Sequence, residues 1–335
     1  MDERITLAHG AGGRKTSELI EKLFKKHLGN PDMTADDAAV LALKSGRIAV
    51  STDGFIVSPS FFPGGNIGKL SVCGTVNDLA CMGAEPLYLT VAAVIEEGFP
   101  VADLEKIVES MGKTADEAGV HIVCGDTKVA GKGQVDGIFI TTTGIGLMPE
   151  GEYPAGNKAA PGDAVIVTGD VGRHGAAILL ARDEFGIEAD ITSDCAPLAG
   201  LVKAAVSAGG DDIHVIRDAT RGGVGTVLHE IAAQSGVGIT IERTKIPVDP
   251  AVRTVTEMLG LEPLYLACEG RMVIFCGAPA AEAVLTAIRA TKYGEGAAVI
   301  GKVTGSRVGK VVVKTKIGGE TLLPAPSGEL LPRIC

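Results

Sequence analysis

Tryptophan is missing from this 335-residue chain, and aromatic residues of every kind make up only 4% of it. Base-stacking platforms are therefore scarce, which argues against recognition of single-stranded nucleic acid. Basic charge is also short. Lys and Arg number 31 against 41 Asp and Glu, a net charge of −10, so a phosphate backbone would find no electrostatic support. A phosphorylated small molecule stays compatible with this charge, because Mg2+ can bridge an acidic protein to an anionic ligand. No apolar run reaches the roughly 18 residues that a membrane span requires. Met1-Asp2-Glu3-Arg4 lacks the basic-then-apolar order of a secretory signal, and the expectation is a cytoplasmic protein. The chain has no C-x-x-C pair, no H-E-x-x-H and no G-x-S-x-G elbow, which removes the commonest zinc, redox and serine-hydrolase signatures.

What is present points to an α/β architecture. A hydrophobic fraction of 46% can fill two cores, and 46 glycines indicate many tight turns and close contacts. Periodicity predicts helices over 15–28, 66–82 and from Val101 to Ala115, with strands at Arg47–Thr52, Tyr88–Ile95, Val120–Cys124 and Gly137–Leu147. The proline- and glycine-bearing stretch from Met148 to Gly162 reads as a linker. Beyond it the alternation resumes, with strands at Ala164–Thr168, Met272–Cys276, Ala297–Val303 and Val308–Lys314 among further helices. The division is a first domain over 1–150, a second α/β domain over 151–323, and a tail over 324–335. The six cysteines at 73, 81, 124, 195, 268 and 276 read as small apolar residues in a reducing compartment.

Aspartates are the strongest internal signal. Asp36-Asp37, Asp53 in Thr-Asp-Gly, Asp78 in Asn-Asp-Leu and Asp126 in Gly-Asp-Thr are all expected at element ends. Hard divalent cations take several carboxylate oxygens from segments that converge, although aspartate is also a common turn and cap residue. Two glycine-rich stretches, His9–Thr16 and Gly64–Lys69, fail as Walker loops on spacing and flanking residues, which leaves a nucleotide loop of another kind open. Asp218–Gly223 could offer backbone amides and the Arg221 guanidinium at a helix start, or be an ordinary helix entry. The ending Pro332-Arg333-Ile334-Cys335 places a thiol on a proline-punctuated segment. Ten extended residues reach about 33–36 Å, enough to bring it to a site on its own subunit or a neighbour.

In order along the chain, Ala8-His-Gly-Ala-Gly-Gly13, Asp36-Asp-Ala-Ala-Val40, Ser51-Thr-Asp-Gly54, Gly74–Ala84, Gly125-Asp-Thr-Lys-Val129, Arg217–Gly223 and the terminal Pro-Arg-Ile-Cys resemble the hydrogenase maturation factors of the HypE family. The aspartate motifs alone would indicate only the wider superfamily of aminoimidazole ribonucleotide synthetase, selenophosphate synthetase and thiamine-phosphate kinase. The terminal cysteine separates HypE from those relatives.

The resemblance implies a two-domain PurM-like fold, α/β with α+β character. Its N-terminal sheet domains would pair in a homodimer, with a mixed-sheet C-terminal domain and a flexible tail following. It implies ATP between the domains with Mg2+, the nucleotide site drawing on Asp36, Asp37, Asp53, Asn77, Asp78, Asp126 and Thr127, and the metal on Asp37, Asp53, Asp78 and Asp126. It further implies that a partner, HypF, carbamoylates Cys335. The carbamoyl group would then be dehydrated to a thiocyanate at the expense of ATP, and the cyanide passed to iron on a HypC–HypD complex, for [NiFe] hydrogenase. Glu269 and Lys128 are the candidates for proton handling, and they also read as a surface carboxylate and a phosphate-contacting lysine. Two alternatives compete with the dehydratase: a superfamily kinase or synthetase acting on a free small substrate, and a non-catalytic carrier with a cysteine tail.

Overall fold

The computed structural model describes residues 3–9, 14–32, 46–183 and 185–325. Arg14–Leu19 (α1) and Lys25–Leu28 (α2) are joined by a π-helical turn over Ile20–Phe24, so the predicted first helix is present with one widened turn. Strand β1 (Ile48–Phe55) leads to a small hairpin, β2 (Phe61–Phe62) and β3 (Gly65–Asn66), and then to helix α3 (Ile67–Cys81). Strand β4 (Glu85–Glu96), helix α4 (Val101–Ala118), and strands β5 (His121–Ala130) and β6 (Ile138–Leu147) complete the first sheet, in the order β1-β6-β4-β5.

Two of these helices show why the sheet packs as it does. Helix α4 turns Val101, Leu104, Ile107, Val108, Met111 and Ala115 to the core, the 3.6-residue stripe of a half-buried helix. Gly119, left-handed at φ 70°, closes it. Helix α3 is buried on nearly every face. The Asn66 side chain caps its start by accepting from the Gly68 and Lys69 amides at 2.9 and 3.1 Å. Both helices cover one face of the four-stranded sheet. On the opposite face Val50 is 60% exposed and Ile48 is 49% exposed.

Two sequence expectations need correction here. The strand at Thr52-Asp53-Gly54 does not turn, because β1 pairs with β6 without interruption from Ile48↔Leu147 to Phe55↔Ile140. Likewise β5 does not end at Cys124 but runs on beside β4 as far as Ala130↔Glu96. Asp53 and Asp126 therefore lie inside strands. Both strands are sheet edges, where a charged side chain is readily accommodated.

The second sheet has seven strands: β7 (Ala164–Val167), β8 (Ile213–Asp218), β9 (Gly238–Glu242), β10 (Met272–Cys276), β11 (Ala298–Thr304), β12 (Val311–Lys314) and β13 (Glu320–Leu322). Their order is β13-β12-β9-β11-β7-β10-β8, antiparallel throughout except for β12 beside β9. Helices α5 (Arg173–Ala181), α6 (Ala199–Gly209), α7 (Gly223–Gln234), α8 (Pro250–Leu259) and α9 (Ala281–Arg289) accompany it. One face packs on α7 through Val165, Val167, Val215, Val224 and Leu228. The other packs on α6 and α9, and there Ala80 and Cys81 from the end of α3 join the same core. The two sheets thus share one helix. The chain from Met148 to Gly162 is pinned where it crosses between them: the Ala155 amide donates to His214 O at 3.0 Å, and Tyr153 lies under both Arg47 and Lys158. Among the described residues no helix is long and apolar enough to cross a membrane.

Candidate active site

Strand β1 alternates its side chains, so Ser51, Asp53 and Phe55 all face α3. Gly74 and Asp78 lie one turn apart on the helix face that meets them. Gly74 is required there, since a Cβ would fall 2.7 Å from the Phe55 ring; the Asp53 carboxylate lies 3.8 Å from the same point. Ser51 Oγ donates to Asp78 Oδ2 at 2.6 Å. Two carboxylates are thereby placed in the narrow space between a strand and a helix.

The second domain adds more. Helix α3 packs against β8, which ends in Arg217 and Asp218. Burial pushes the Asp78 carboxyl up to about 6, with repulsion from Asp218 and Asp53 adding to it and Ser51 and Arg217 opposing it. Burial also raises Asp53, against the Arg221 guanidinium 3.9 Å away and the Gly54 amide. Arg221 stands just ahead of α7, where Gly222 and Gly223 are both left-handed. A Cβ on Gly223 would meet Leu266 O at 2.4 Å, so α7 is held tightly against the segment that carries Glu269. Burial lifts Glu269 well above the usual carboxylate range, and Cys195, Asp218, Asp194 and Asp53 push it the same way. Strongly perturbed carboxyls of this kind cluster at functional sites.

Not all the predicted residues meet here. Asp126 and Lys128 form an ion pair at 3.0 Å, each more than half exposed, and the Thr127 amide donates to Asp126 Oδ1 at 2.9 Å. Following the register from Gly54 through Thr141 and Ala92 to Asp126 crosses three strand spacings, about 14 Å. Asp126 and Lys128 project from the open face, whereas Asp53 projects toward α3. Within one chain these groups cannot share an ion. Asn77 is buried, and its amide is already engaged: Nδ2 donates to Ala196 O at 3.1 Å and Oδ1 accepts from the Leu198 amide at 2.8 Å. Asp36, Asp37 and Cys335 lie outside the described residues. The Gly64-Gly65 pair forms the turn of the β2–β3 hairpin, and a Cβ on Gly64 would strike the Ser193 backbone at 2.8 Å.

Asp194 and Asp218 were not singled out from the sequence as site residues. Asp218 opens the glycine-bearing helix entry Asp218–Gly223. Asp194 precedes the apolar Cys195-Ala196-Pro197-Leu198, and an acid against an apolar run was the available signal.

Among the described residues no cluster of three or more metal-binding side chains forms a ready-made cage. Asp53 and Asp78, facing each other with Asp218 behind them, still suit Mg2+. That ion is commonly held by one or two carboxylates together with nucleotide phosphates and water. Burial is the main cause that raises the carboxyls of Asp53 and Asp78, with Asp218 adding repulsion, and a bound cation would stabilise their charged forms.

Residues 35–148 match the family described as AIR synthase related protein, N-terminal domain, and residues 160–314 match its C-terminal domain. The carbamoyl dehydratase HypE of Rhizobium leguminosarum bv. viciae is 48% identical over 99% of this chain and 95% of its own length. A crystal structure of hydrogenase maturation protein HypE in complex with ATP superposes with a TM-score of 0.94 at 46% identity, covering 98% of this chain and 99% of that one. A structure of a HypE–HypF complex gives 0.81 at 47% identity, over 92% and 99%.

Proposed function

The chain belongs to the HypE family of carbamoyl dehydratases, and from that premise we propose that it uses ATP to remove water from a carbamoyl group carried on the sulfur of Cys335, leaving a thiocyanate. The observation that carries this reading is the meeting of Asp53 and Asp78 from the first domain with Asp218 and Glu269 from the second. It falls in a fold that superposes closely on an ATP-bound relative.

The chemistry follows from what a carbamoyl group lacks, which is a leaving group. Transfer of the γ-phosphoryl of ATP to the carbamoyl oxygen supplies one. Two protons then leave the nitrogen and phosphate departs as the C≡N bond forms, so that ATP and the S-carbamoyl group become ADP, phosphate and the thiocyanate. Mg2+ would be held by Asp53 and Asp78 and would neutralise charge as the phosphoryl group moves. Arg221, at the start of α7, is placed to meet phosphate oxygens. Glu269 takes the role of proton acceptor, its raised affinity for protons arising from burial among other acids.

Asp126, Thr127 and Lys128 enter this reading through a second copy of the chain. The open face of the first sheet presents Ile48, Val50, Thr52, Ala92 and Asp126 together, apolar at one end and small or polar towards the other. A homodimer that covers this face would carry Asp126 and Lys128 toward the partner's cleft, completing a site that one chain leaves open. The carbamoyl group would come from a HypF partner, as the solved HypE–HypF complex of a relative supports. The cyanide would pass to a HypC–HypD acceptor.

Intact-protein mass after incubation with HypF, carbamoyl phosphate, ATP and Mg2+ tests the reading. The expected result is a gain of one carbamoyl group on Cys335, followed by loss of one water only when ATP can be hydrolysed. Carbamoylation without water loss would leave a carrier. No change at Cys335 would return the small-substrate enzymes to consideration.

A further inference from the structure

Asn77 stands directly before Asp78 on α3, yet its side chain turns away from the carboxylates and into the second domain. There it binds both sides of Pro197, accepting from the Leu198 amide at 2.8 Å and donating to the Ala196 carbonyl at 3.1 Å. The Asn77 amide offers a donor and an acceptor on separate atoms, and both are used. The backbone it grips belongs to the segment Ser193–Leu198, which is fixed at three further points. The Ser193 amide donates to Pro63 O at 2.8 Å. Ser193 Oγ lies 2.7 Å from Nδ1 of the fully buried His174 and accepts from the Cys195 amide at 3.0 Å. The Asp194 carboxylate, with no exposed side-chain surface, accepts from the amides of Glu269 and Gly270 at 3.2 and 3.3 Å and stands 3.8 Å from Arg271 Nε. Arg271 in turn binds Asp170 at 2.6 Å. Gly270 leaves no room for a side chain, because a Cβ would lie 1.8 Å from Asp194 O.

One short segment thus holds Asn77 on one side and the backbone of Glu269 on the other. We propose that Asn77 and Asp194 are paired positioning residues, which act through Ser193–Leu198 to set Glu269 against the carboxylates of α3, and that Asn77 makes no contact with the nucleotide. The inference rests on the dehydratase reading for its kinetic consequence but not for its structural one. A buried amide that holds two backbone groups is costly to lose, since both are left unsatisfied in a dry interface. Freed of it, Glu269 keeps its chemistry and loses its place. Catalysis is sensitive to displacements of about 1 Å, which can cost on the order of 100-fold in rate.

The test compares Asn77→Ala and Asp194→Asn with the parent protein, each carbamoylated by HypF, in single-turnover water loss with separate measurement of ATP affinity. Hydrogen exchange is followed at the Leu198 amide. For Asn77→Ala the expected outcome is a rate lowered about 10- to 100-fold at saturating ATP, ATP affinity within about threefold, and faster Leu198 exchange. Asp194→Asn retains one acceptor for the Glu269 and Gly270 amides and should keep more of the rate than Asp194→Ala. A weakened ATP affinity with an unchanged saturated rate would make Asn77 a nucleotide contact and overturn the proposal, as would an unchanged rate and affinity together. Unaltered Leu198 exchange in a folded Asn77→Ala protein would also overturn it. If the parent itself shows no water loss, the dehydratase reading fails, and the exchange measurement still decides whether Asn77 fastens the segment. Should Asn77→Ala not fold, Asn77→Ser, which keeps a hydroxyl donor and acceptor, carries the same comparison.

Discussion

The two acidic edge strands of the first sheet bear similar motifs and lead opposite lives. Asp53 on β1 faces a helix, lies beside Arg221 and has its carboxyl raised by burial. Asp126 on β5 faces out, pairs with Lys128 in solvent and is well exposed. Thr-Asp-Gly and Gly-Asp-Thr differ little in local propensity. What separates them is strand parity: a side chain one position along points to the other face of the sheet. One aspartate is built into a cleft within the chain, and the other stands on the open face of the sheet.

Glu269→Gln should give the largest break in that comparison, because it removes the proposed proton acceptor from the cleft and leaves the open face untouched. Single-turnover water loss should fall about 100-fold or more, while carbamoylation of Cys335 is retained. Val50→Glu, on the open face, should oppose the proposed dimer, whose interface would then bury a charge. Sedimentation should then show monomer, and water loss should drop about tenfold if the cleft needs a second copy. A milder version mixes Asp53→Ala and Asp126→Ala proteins. Were the sites shared between subunits, half the dimers would be mixed with one intact site each, and about a quarter of the parent activity would return. If Asp126 works on its own chain, the mixture stays inactive.

The smallest effect concerns stability. Asp78 has its carboxyl raised from 3.8 to about 6, so the folded state favours the protonated form. Its contribution is complete below the unfolded value near 3.8 and is lost as pH rises through about 6. Asp78→Asn in the nucleotide-free protein should therefore flatten the change in melting temperature between pH 4 and 6 and stabilise at pH 7 by about 1–2 kcal/mol. His174 works in the other sense: burial lowers it to about 3, so it costs stability as pH falls below its ordinary 6.5.

The amphipathic helix over Val101–Ala118 and the alternation in β6 were legible, since periods of 3.6 and 2 depend only on the order of apolar residues. Strands β8, β9 and β13, helix α8 and the β2–β3 hairpin were not read. They are short, and β8 and β9 are apolar mainly because neighbours bury them on both faces. At the candidate site, Asp53, Asp78 and Glu269 come from motifs in the sequence, and in the fold their carboxyls lie close enough to influence one another. Asp194 was missed because its value lies in accepting two amides some 75 residues away, which no local pattern announces.

By itself the sequence determined the acidic character, the two α/β halves, the aspartate motifs and the thiol at the end of the chain. These follow from composition, periodicity and residue chemistry, which are properties of a string. Which face each aspartate takes, that Asn77 is occupied by the Ala196–Leu198 backbone, and that Glu269 is half-buried near other acids were decided only in three dimensions. Sheet register, the sharing of α3 between two cores and the desolvation of charge arise from contacts between residues far apart in the chain.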